Sequence, residues 1–582
     1  MTKGKKEKKK KKEDEEPSSA GLFSALSGGA EKRDVSDLNP LFQANVASFS
    51  DFKKGKKSVE PRTISEVRHA TLGSKVEKKD KLSVGTDYQE IILPEISWGE
   101  MLADITNWTP LPFTHGIEME LIICDDDGNY PPGDEMVFRM KEIVKESIKI
   151  INEIIYEGRE DFLPMPDYIR GKIMQAPFGK EDIEKGYVMN ISYNLQGTEL
   201  NIDSFGRDGN VTAITYILEL VTPPCEYVEE LAYWSSTLFL LAKKTLPRDL
   251  HIVASAINPT SKEYQRGLSQ ADHHHLGDFN SELEKMQAYC MIRNFIPHII
   301  ALSTNSPIIN NRPTDVIKII NNRITAPNCV RSLRLKYNLT MLSNNDPKFF
   351  MPYLSEGGEN GLNYFLQVVN KASREDGRFQ DIFPFTDWGT IEIRAMDAQI
   401  SICRRIGLGL LVQTLCYKAR KLYQNKQWVP DAGSETIAFN RASVINRGLI
   451  ALFKPINLTK ETLVEYDPEF AEAYLGPDNN PNRYMFQAVQ RMFIYLKPEL
   501  EELGFLYSPF LKPLLQSVFG NVSYAEPPIT EAEYQLSLFQ YKIDNDQFPD
   551  VLEDLIYFTI EYCQDPLNQP LTGTLLLPKE MR

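Results

Sequence analysis

The sequence lacks the features of membrane, exported and metal-thiolate proteins. No apolar run in the 582 residues reaches the roughly 18–20 residues that cross a bilayer, and no apolar segment follows the Lys-rich start as in a secretory signal. The seven cysteines are scattered without a Cys-x-x-Cys spacing, which favours free thiols in a reducing compartment over disulfides or structural zinc. A net charge of −15 disfavours a general nucleic-acid binder. We therefore expect a cytoplasmic protein without a membrane or nucleic-acid partner.

Sustained hydrophobic periodicity is also missing from the first 90 residues. They open with a basic block, "MTKGKKEKKKKK", and an acidic stretch follows it directly. Blocks of like charge repel and cannot pack, so we predict a disordered charged tail and linker over residues 1–90. A solubilising role is favoured over a tether to nucleic acid or an anionic membrane. Two apolar islands, "GLFSALSG" and "LNPLFQANVASFSDF", are either docking motifs or short helices.

From residue 91 onward, strand-like and helical patterns follow one another. Alternating or short apolar segments predict strands near residues 115–124, 187–224, 250–259 and 388–399. Apolar positions at helical spacing predict helices near residues 133–158, 225–246, 281–307 and 401–423. This order predicts an α+β fold with a mostly antiparallel sheet packed by helices. We divide it into an α+β core over residues 91–430 and a helical C-terminal region over residues 431–582, packed on the core.

The segment "HGIEMEL" carries two glutamates in an otherwise apolar strand. Because side chains alternate along a strand, Ile117, Met119 and Leu121 share one face. Glu118 and Glu120 share the other. An exposed strand face is the ordinary explanation for this pattern. The alternative is a divalent-cation site, since hard cations prefer several carboxylate oxygens.

Three further segments place polar groups on one face of a predicted strand. Glu219 is the only charge in "YILELV", His273 and His275 alternate in "ADHHHLG", and Glu392 and Arg394 share a face in "TIEIRAM". Taken singly, each is explained by a solvent-facing strand end, a polar loop or a surface ion pair. Taken together, they predict neighbouring strands whose common face forms a cup. Such a cup would bind several Mg²⁺ ions and, through them, a nucleoside triphosphate.

The same segments resemble the motifs of one family, the carboxylate–amine ligases related to glutamate–cysteine ligase, which share a fold with glutamine synthetase. The motif G-[VI]-E-x-E-L is similar to residues 116–121, E-L-x-T-P-P to residues 219–224, and H-x-H-x-G to residues 273–277. Residues 301–307, 392–399 and 440–449 are similar to three later motifs, and the order agrees over residues 112–455. Two departures are Met119, where the family has glutamate, and Ala271–Asp272 in place of the family's glycine.

The resemblance implies a curved, mostly antiparallel sheet with a metal-lined concave face, and residues 91–430 as the catalytic core. It implies ATP-dependent amide formation through an acyl phosphate, with Mg²⁺, or alternatively Mn²⁺, as the metal. The residues it assigns to the metals are Glu118, Glu120, Glu219, His273 and Glu392. Glu392 and Arg394 are assigned to catalysis, and Arg394, His275 and Asn305 to nucleotide binding. Arg441 and Arg447 are weaker candidates for gripping a substrate carboxylate.

Two other classes of function stay open beside the ligase. One is a non-catalytic nucleotide-binding or scaffold protein of the same fold. The other is a phosphotransferase built on the same sheet. If the protein is a ligase, we expect two small-molecule substrates. One is a carboxylate, expected to be glutamate, and the other is an amine that the sequence does not specify. A homo-oligomer is left open as well.

Overall fold

The structure is a computed structural model of the chain. It describes residues 88–582 except 94–95, most of 133–163, 176–216, 263–268, 314–317, 321–322, 326–329, 338–352, 354–358, 375–379, 387, 465–466, 520–529 and 571–574. Residues 1–87 of the predicted tail, both apolar islands and residues 187–216 of the strand region predicted over 187–224 therefore lie outside the described residues, while residues 88–90 belong to strand β1. The prediction for residues 1–87 stays a prediction.

Helices make up most of the described chain. They span Trp98–Ala103, Asp167–Gln175, Val228–Thr245, Glu282–Ser303, Leu333–Tyr337, Glu359–Arg374, Ile402–Gln424, Ser434–Arg447, Lys460–Val464, Pro468–Leu475, Met485–Glu502, Lys512–Phe519, Glu531–Asp544 and Leu552–Gln564. Short 3-10 helices span Ile105–Asn107, Gly448–Ile450 and Lys579–Met581. The long helices begin at polar caps: the Ser281 and Ser401 hydroxyls each accept a hydrogen bond from the backbone N–H three residues on. Among the described residues, none of the helices combines the length and the hydrophobicity of a membrane-spanning segment.

Most strands belong to one sheet. The strands are β1 Tyr88–Ile91, β2 Pro110–Cys124, β3 Ile217–Val221, β4 Cys225–Tyr227, β5 His251–Val253, β6 Ala271–Leu276, β7 Ile308–Ile309, β8 Arg312–Pro313, β9 Lys318–Ile320, β10 Arg323–Thr325, β11 Ile382–Pro384, β12 Ile391–Asp397 and β13 Leu575–Pro578. Seven strands pair in the order β11–β12–β6–β2–β3, with β4 and β5 also paired to β2. All pairings between these strands are antiparallel. The predicted α+β class with an antiparallel sheet packed by helices is confirmed.

One face of this sheet is covered by helices. Ile117, Met119 and Leu121 are buried there, as the alternation in the sequence predicts. The helix Ile402–Gln424 lies close against this face, since a side-chain carbon added at Gly409 would come within 3.0 Å of the His115 ring. Tight helix–sheet contact of this kind fixes the position of the sheet and leaves its other face for chemistry.

The C-terminal helices close one end of that other face. Ile122, Cys124 and Val253 lie on it and pack with residues of two C-terminal helices, among them Tyr534 and Leu555. We call this group the distal cluster. The buried Glu531 side chain accepts hydrogen bonds from the backbone N–H groups of Ile400 and Ser401, at 2.6 and 3.3 Å. The C-terminal helices thus contact the core, while the proposed division at residue 430 stays a prediction.

Local differences from the sequence prediction have physical causes. The helix predicted over 225–246 begins at Val228, because Cys225–Tyr227 pairs with β2 as β4. The strand predicted over 388–399 is confined to Ile391–Asp397, because a hairpin turn precedes it. The strand predicted from residue 115 begins at Pro110 and is 15 residues long.

Candidate metal and nucleotide site

The strand registers bring the predicted polar residues onto one sheet face. Glu120 lies directly opposite Glu219 across β2 and β3, and Glu118 lies opposite His273 across β2 and β6. Directly opposed residues of an antiparallel pair project to the same side of the sheet. His275 is in turn opposite Glu392 across β6 and β12. We call this side the carboxylate face.

The side chains in the middle of this face lie within contact distance of one another. His273 Nδ1 is 3.0 Å from Glu118 Oε2 and 3.7 Å from Glu392 Oε1. His275 Nε2 is 3.2 Å from Glu118 Oε1 and 3.7 Å from Glu392 Oε1. Glu120 stands further out, with Oε1 at 4.0 Å from His273 Nε2. His275, assigned above to the nucleotide, therefore lies among the residues assigned to the metals.

Crowding of carboxylates shapes the charge of the face. Burial raises the pKa of Glu219 well above its usual value, and the charges of Glu118 and Glu120 raise it further. Burial also opposes ionisation of Glu118, but His275 and His273 hold its pKa well below its usual value. The pKa of His275 is raised because the attraction of Glu118 and Glu392 outweighs burial. In the absence of a cation, the raised pKa of His275 favours its charged form, which supplies part of the positive charge that the carboxylates require.

The donor set fits a divalent cation. One ligand atom each from Glu118, His273 and Glu392 lie within 4.8 Å of one another. Glu392 is fully buried, and its Oε2 has no hydrogen-bond partner among the described residues. A buried carboxylate oxygen without a partner is costly unless a cation or donor reaches it. Carboxylate oxygens with one imidazole suit Mg²⁺ or Mn²⁺ better than soft metals.

Arg394 supplies the positive charge beside this group. Its Nη2 lies 2.6 Å from Glu392 Oε1, and its side chain is 19% exposed, so part of it faces solvent. Burial would lower the pKa of Arg394, but Glu392, Glu118 and Glu120 raise it, which keeps the guanidinium charged. A charged, planar guanidinium at the edge of a carboxylate cluster can accept an anionic group of a ligand.

The backbone of Arg394 is fixed at a break in the sheet. The β12–β6 pairing runs to Ile393 and resumes at Met396 after a register shift. At the break, the Arg394 N–H donates to the Asp381 carbonyl at 2.8 Å, and its carbonyl accepts from Arg334 Nη2 at 2.6 Å. Irregularities of this kind re-aim a side chain beside active sites. Buried Arg334 thus helps to fix the Arg394 backbone at this break.

Two residues predicted to bind ligands have internal partners instead. The Asn305 amide donates to the Ala398 carbonyl at 2.7 Å and accepts from Gln535 Nε2 at 2.6 Å. Arg441 is fully buried and forms a two-point ion pair with Asp381, with Nη2 donating to Oδ1 at 2.8 Å. The carboxylate that Arg441 grips is therefore one of the protein's own. The nucleotide contact of Asn305 stays a prediction that this geometry does not support.

Arg447, the other weak candidate, is the last residue of the helix Ser434–Arg447 and is partly buried. Its suggested substrate contact stays a prediction.

Sequence reasoning missed the buried ion pairs behind the site. Asp272, beside His273, pairs with Arg405 at 2.9 Å, and Asp397 accepts from the hydroxyls of Ser306 and Ser332, both at 2.9 Å. Charges inside apolar elements were the available signal: Arg405 lies in the mostly apolar helix Ile402–Gln424. Buried charges require partners, so such positions could have been predicted to anchor neighbouring strands.

Comparison with known proteins confirms the resemblance to glutamate–cysteine ligase-like proteins. The chain is 31% identical over 140 residues to "Putative glutamate--cysteine ligase 2" of Gloeobacter violaceus, covering 24% of this chain and 33% of the relative. It is 33% identical over 180 residues to a protein of the same name from Paraburkholderia phytofirmans, covering 30% of this chain and 42% of the relative. The chain thus spans about a third to two fifths of these curated relatives. No family model matches it.

Similar solved structures are more distant. A bifunctional glutathione synthetase from Pasteurella multocida has a TM-score of 0.41 at 13% identity, covering 77% of this chain and 52% of that one. Glutamate–cysteine ligase from Francisella tularensis, solved with AMP, has a TM-score of 0.41 at 9% identity, covering 78% of this chain and 94% of that one. At these TM-scores, the likenesses say nothing about function.

Proposed function

We propose that the protein is an ATP-dependent carboxylate–amine ligase of the glutamate–cysteine ligase type, which forms an amide, expected to be γ-glutamyl, through an acyl phosphate. The observation that carries the proposal is the carboxylate face. Four glutamates, two histidines and one arginine from four neighbouring strands meet on one side of a sheet whose other side is packed by helices. The names of the curated relatives support the same class.

The proposed roles follow from position. Glu118, His273 and Glu392 are central and would hold one metal ion. Glu120 and Glu219, opposed across β2 and β3, would contribute to a second ion or share the first. Bound Mg²⁺ would neutralise the phosphate oxygens of the nucleotide and orient them. His275 lies between Glu118 and Glu392 and would hold their carboxylates in place or serve as a further ligand.

Arg394 would act on the charge of the reaction itself. The substrate carboxylate oxygen attacks the γ-phosphorus of ATP, and ADP leaves with the electrons of the broken P–O bond. The amine nitrogen then attacks the acyl carbon, and phosphate leaves as the nitrogen loses a proton. The first step brings two anions together, so a fixed guanidinium beside the transferred phosphoryl group lowers its barrier. Arg394 is fixed for this task by its backbone contacts with Asp381 and Arg334.

The test is product analysis with the full chain. The protein is incubated with ATP, Mg²⁺, glutamate and a panel of amines that includes cysteine. Released phosphate and ADP are measured, and the mass of the organic product is determined. We expect phosphate release that depends on both the acid and the amine, together with a product whose mass is the sum of the two minus water.

The other candidate classes give different results in the same assay. A phosphotransferase would yield ADP and a phosphorylated acceptor without an amide. A scaffold protein would bind nucleotide without turnover. Glu392→Gln serves as the inactive control, because it removes the charge of the central buried carboxylate. An exposed glutamate on the helix Leu552–Gln564, changed as Glu553→Gln, serves as the matched control and should retain activity.

A further inference from the structure

The carboxylate face continues past its charged centre to a row of small residues. The next row of side chains beyond His275 and Glu392 consists of Thr114, Gly277 and Thr390. The Gly277 N–H donates to the Thr114 carbonyl at 2.9 Å. A carbon added at Gly277 would lie 2.8 Å from Thr114 Oγ1 and 3.6 Å from Thr390 Cγ2, so the three positions share one side of the sheet. We call this row the threonine floor. Its middle position carries no side chain, and the Thr114 hydroxyl lies close to it.

A row of aromatic rings borders this floor. Phe383 lies opposite Glu392, and the Phe385 N–H donates to the Thr390 carbonyl at 2.8 Å, so both phenylalanines project from the carboxylate face. The Phe383 and Phe385 ring centroids are 4.7 Å apart, and the Trp388 ring centroid is 4.6 Å from that of Phe385 at an interplanar angle of 30°. Phe383 is fully buried, whereas Trp388 is 63% exposed. The row therefore ends in an indole whose surface is open to solvent.

The other end of the face is closed by protein. Past Glu120, the same side of β2 carries Ile122 and Cys124, which are fully buried in the distal cluster. A tryptophan side chain is usually buried, because burial of its large apolar surface is favourable, so an exposed one next to a polar site is unusual. The distal cluster fills one end of the carboxylate face, and the threonine floor and Trp388 lie at the other end.

We infer that Trp388 and the threonine floor form a platform for the nucleobase of the nucleoside triphosphate. This inference rests on the proposed function, because it takes the phosphates to be bound near Glu392 and Arg394. Trp388 lies in the hairpin turn between β11 and β12, and its ring contacts that of Phe385 beside the threonine floor, on the side of Glu392 away from Arg394. A planar base stacks on an indole, whereas glutamate and small aliphatic amines have no π-face to offer.

The test compares the binding of a ligand that contains a nucleobase with the binding of a ligand that lacks one. Equilibrium affinities of the full chain for Mg–ATP and for Mg–tripolyphosphate are measured by calorimetry in wild type, Trp388→Ala and Trp388→Phe. Trp388→Ala should weaken ATP binding by about 5- to 100-fold, the range for loss of one stacked base at 1.4 kcal/mol per factor of ten. Tripolyphosphate affinity should be unchanged, and Trp388→Phe should recover most of the ATP affinity because it keeps an aromatic face.

The matched control is Tyr507→Ala, which removes another exposed aromatic ring and should change neither affinity. Equal loss of ATP and tripolyphosphate binding in Trp388→Ala, or no loss of either, would overturn the platform while leaving the phosphate site intact. If wild type binds neither ligand, the proposed function fails first and the platform fails with it. If wild type binds tripolyphosphate as tightly as ATP, the platform is refuted but the proposed function is not.

Discussion

Replacement of Arg394 by alanine tests the chemistry of the carboxylate face most directly. The substitution removes the guanidinium nitrogen that lies 2.6 Å from the fully buried Glu392 carboxylate. The remaining basic side chains beside it, His273 and His275, each have a ring nitrogen 3.7 Å from Glu392 Oε1. Removal of one partner of a buried ion pair costs about 3–5 kcal/mol, and we expect the lower end because Arg394 is partly exposed. The metal-free variant should therefore melt at a lower temperature than wild type.

The effect on turnover should be larger than the effect on binding. If Arg394 stabilises charge that develops during phosphoryl transfer, its loss should lower turnover by about 10²–10³-fold, as for other preorganised donors. Affinity for Mg–ATP should fall much less, because interactions of the ground state alone do not accelerate the chemical step. Arg394→Lys should rescue turnover only in part, since an ammonium lacks the planar fork.

A double variant separates stability from catalysis. Glu392→Gln in the Arg394→Ala background removes the uncompensated charge and should restore much of the thermal stability, without restoring turnover. The assays are differential scanning fluorimetry, steady-state kinetics and equilibrium ATP binding on the same preparations. Equal losses in ATP affinity and turnover for Arg394→Ala would show that Arg394 is a ground-state ligand only. Unchanged turnover would remove it from the site.

Three further outcomes are expected. Glu120→Gln should shift the Mg²⁺ dependence of activity to higher concentration and lower turnover by about tenfold or more, whereas an unchanged Mg²⁺ titration would place Glu120 outside the metal site. In metal-free protein, the pKa of Glu219 is raised by folding, so above pH 4.5 the folded state binds more protons at this group than the unfolded state does. The contribution of Glu219 to the free energy of unfolding should therefore decline as pH rises from 4.5 through its raised pKa. Glu219→Gln should abolish that decline in pH-dependent melting curves, and an identical pH profile for variant and wild type would contradict it. Deletion of residues 1–85 should leave melting temperature and ATP turnover nearly unchanged, and loss of most activity would show that the tail belongs to the working site.

Much of the site was predictable because strand alternation is a local property. The pattern in "HGIEMEL" alone separates the buried Ile117 and Met119 from Glu118 and Glu120, whatever the strand pairs with. The same rule placed His273 with His275, and Glu392 with Arg394. The sequence thereby determined which side chains of each strand act together, and the order of the motifs indicated the ligase-like family.

Only the tertiary structure decided which strands are neighbours and in what register. The placement of β6 between β2 and β12 brings His273 to Glu118 and His275 to Glu392 over a sequence separation of more than a hundred residues. Register depends on long-range packing and on irregularities such as the break at Arg394, which no short segment encodes. For the same reason, the sequence could not show that the Arg441 guanidinium is paired with Asp381, a residue 60 positions away. Alternation along one strand is fixed by backbone geometry, whereas the partner of a buried charge is fixed by the packing of the whole core.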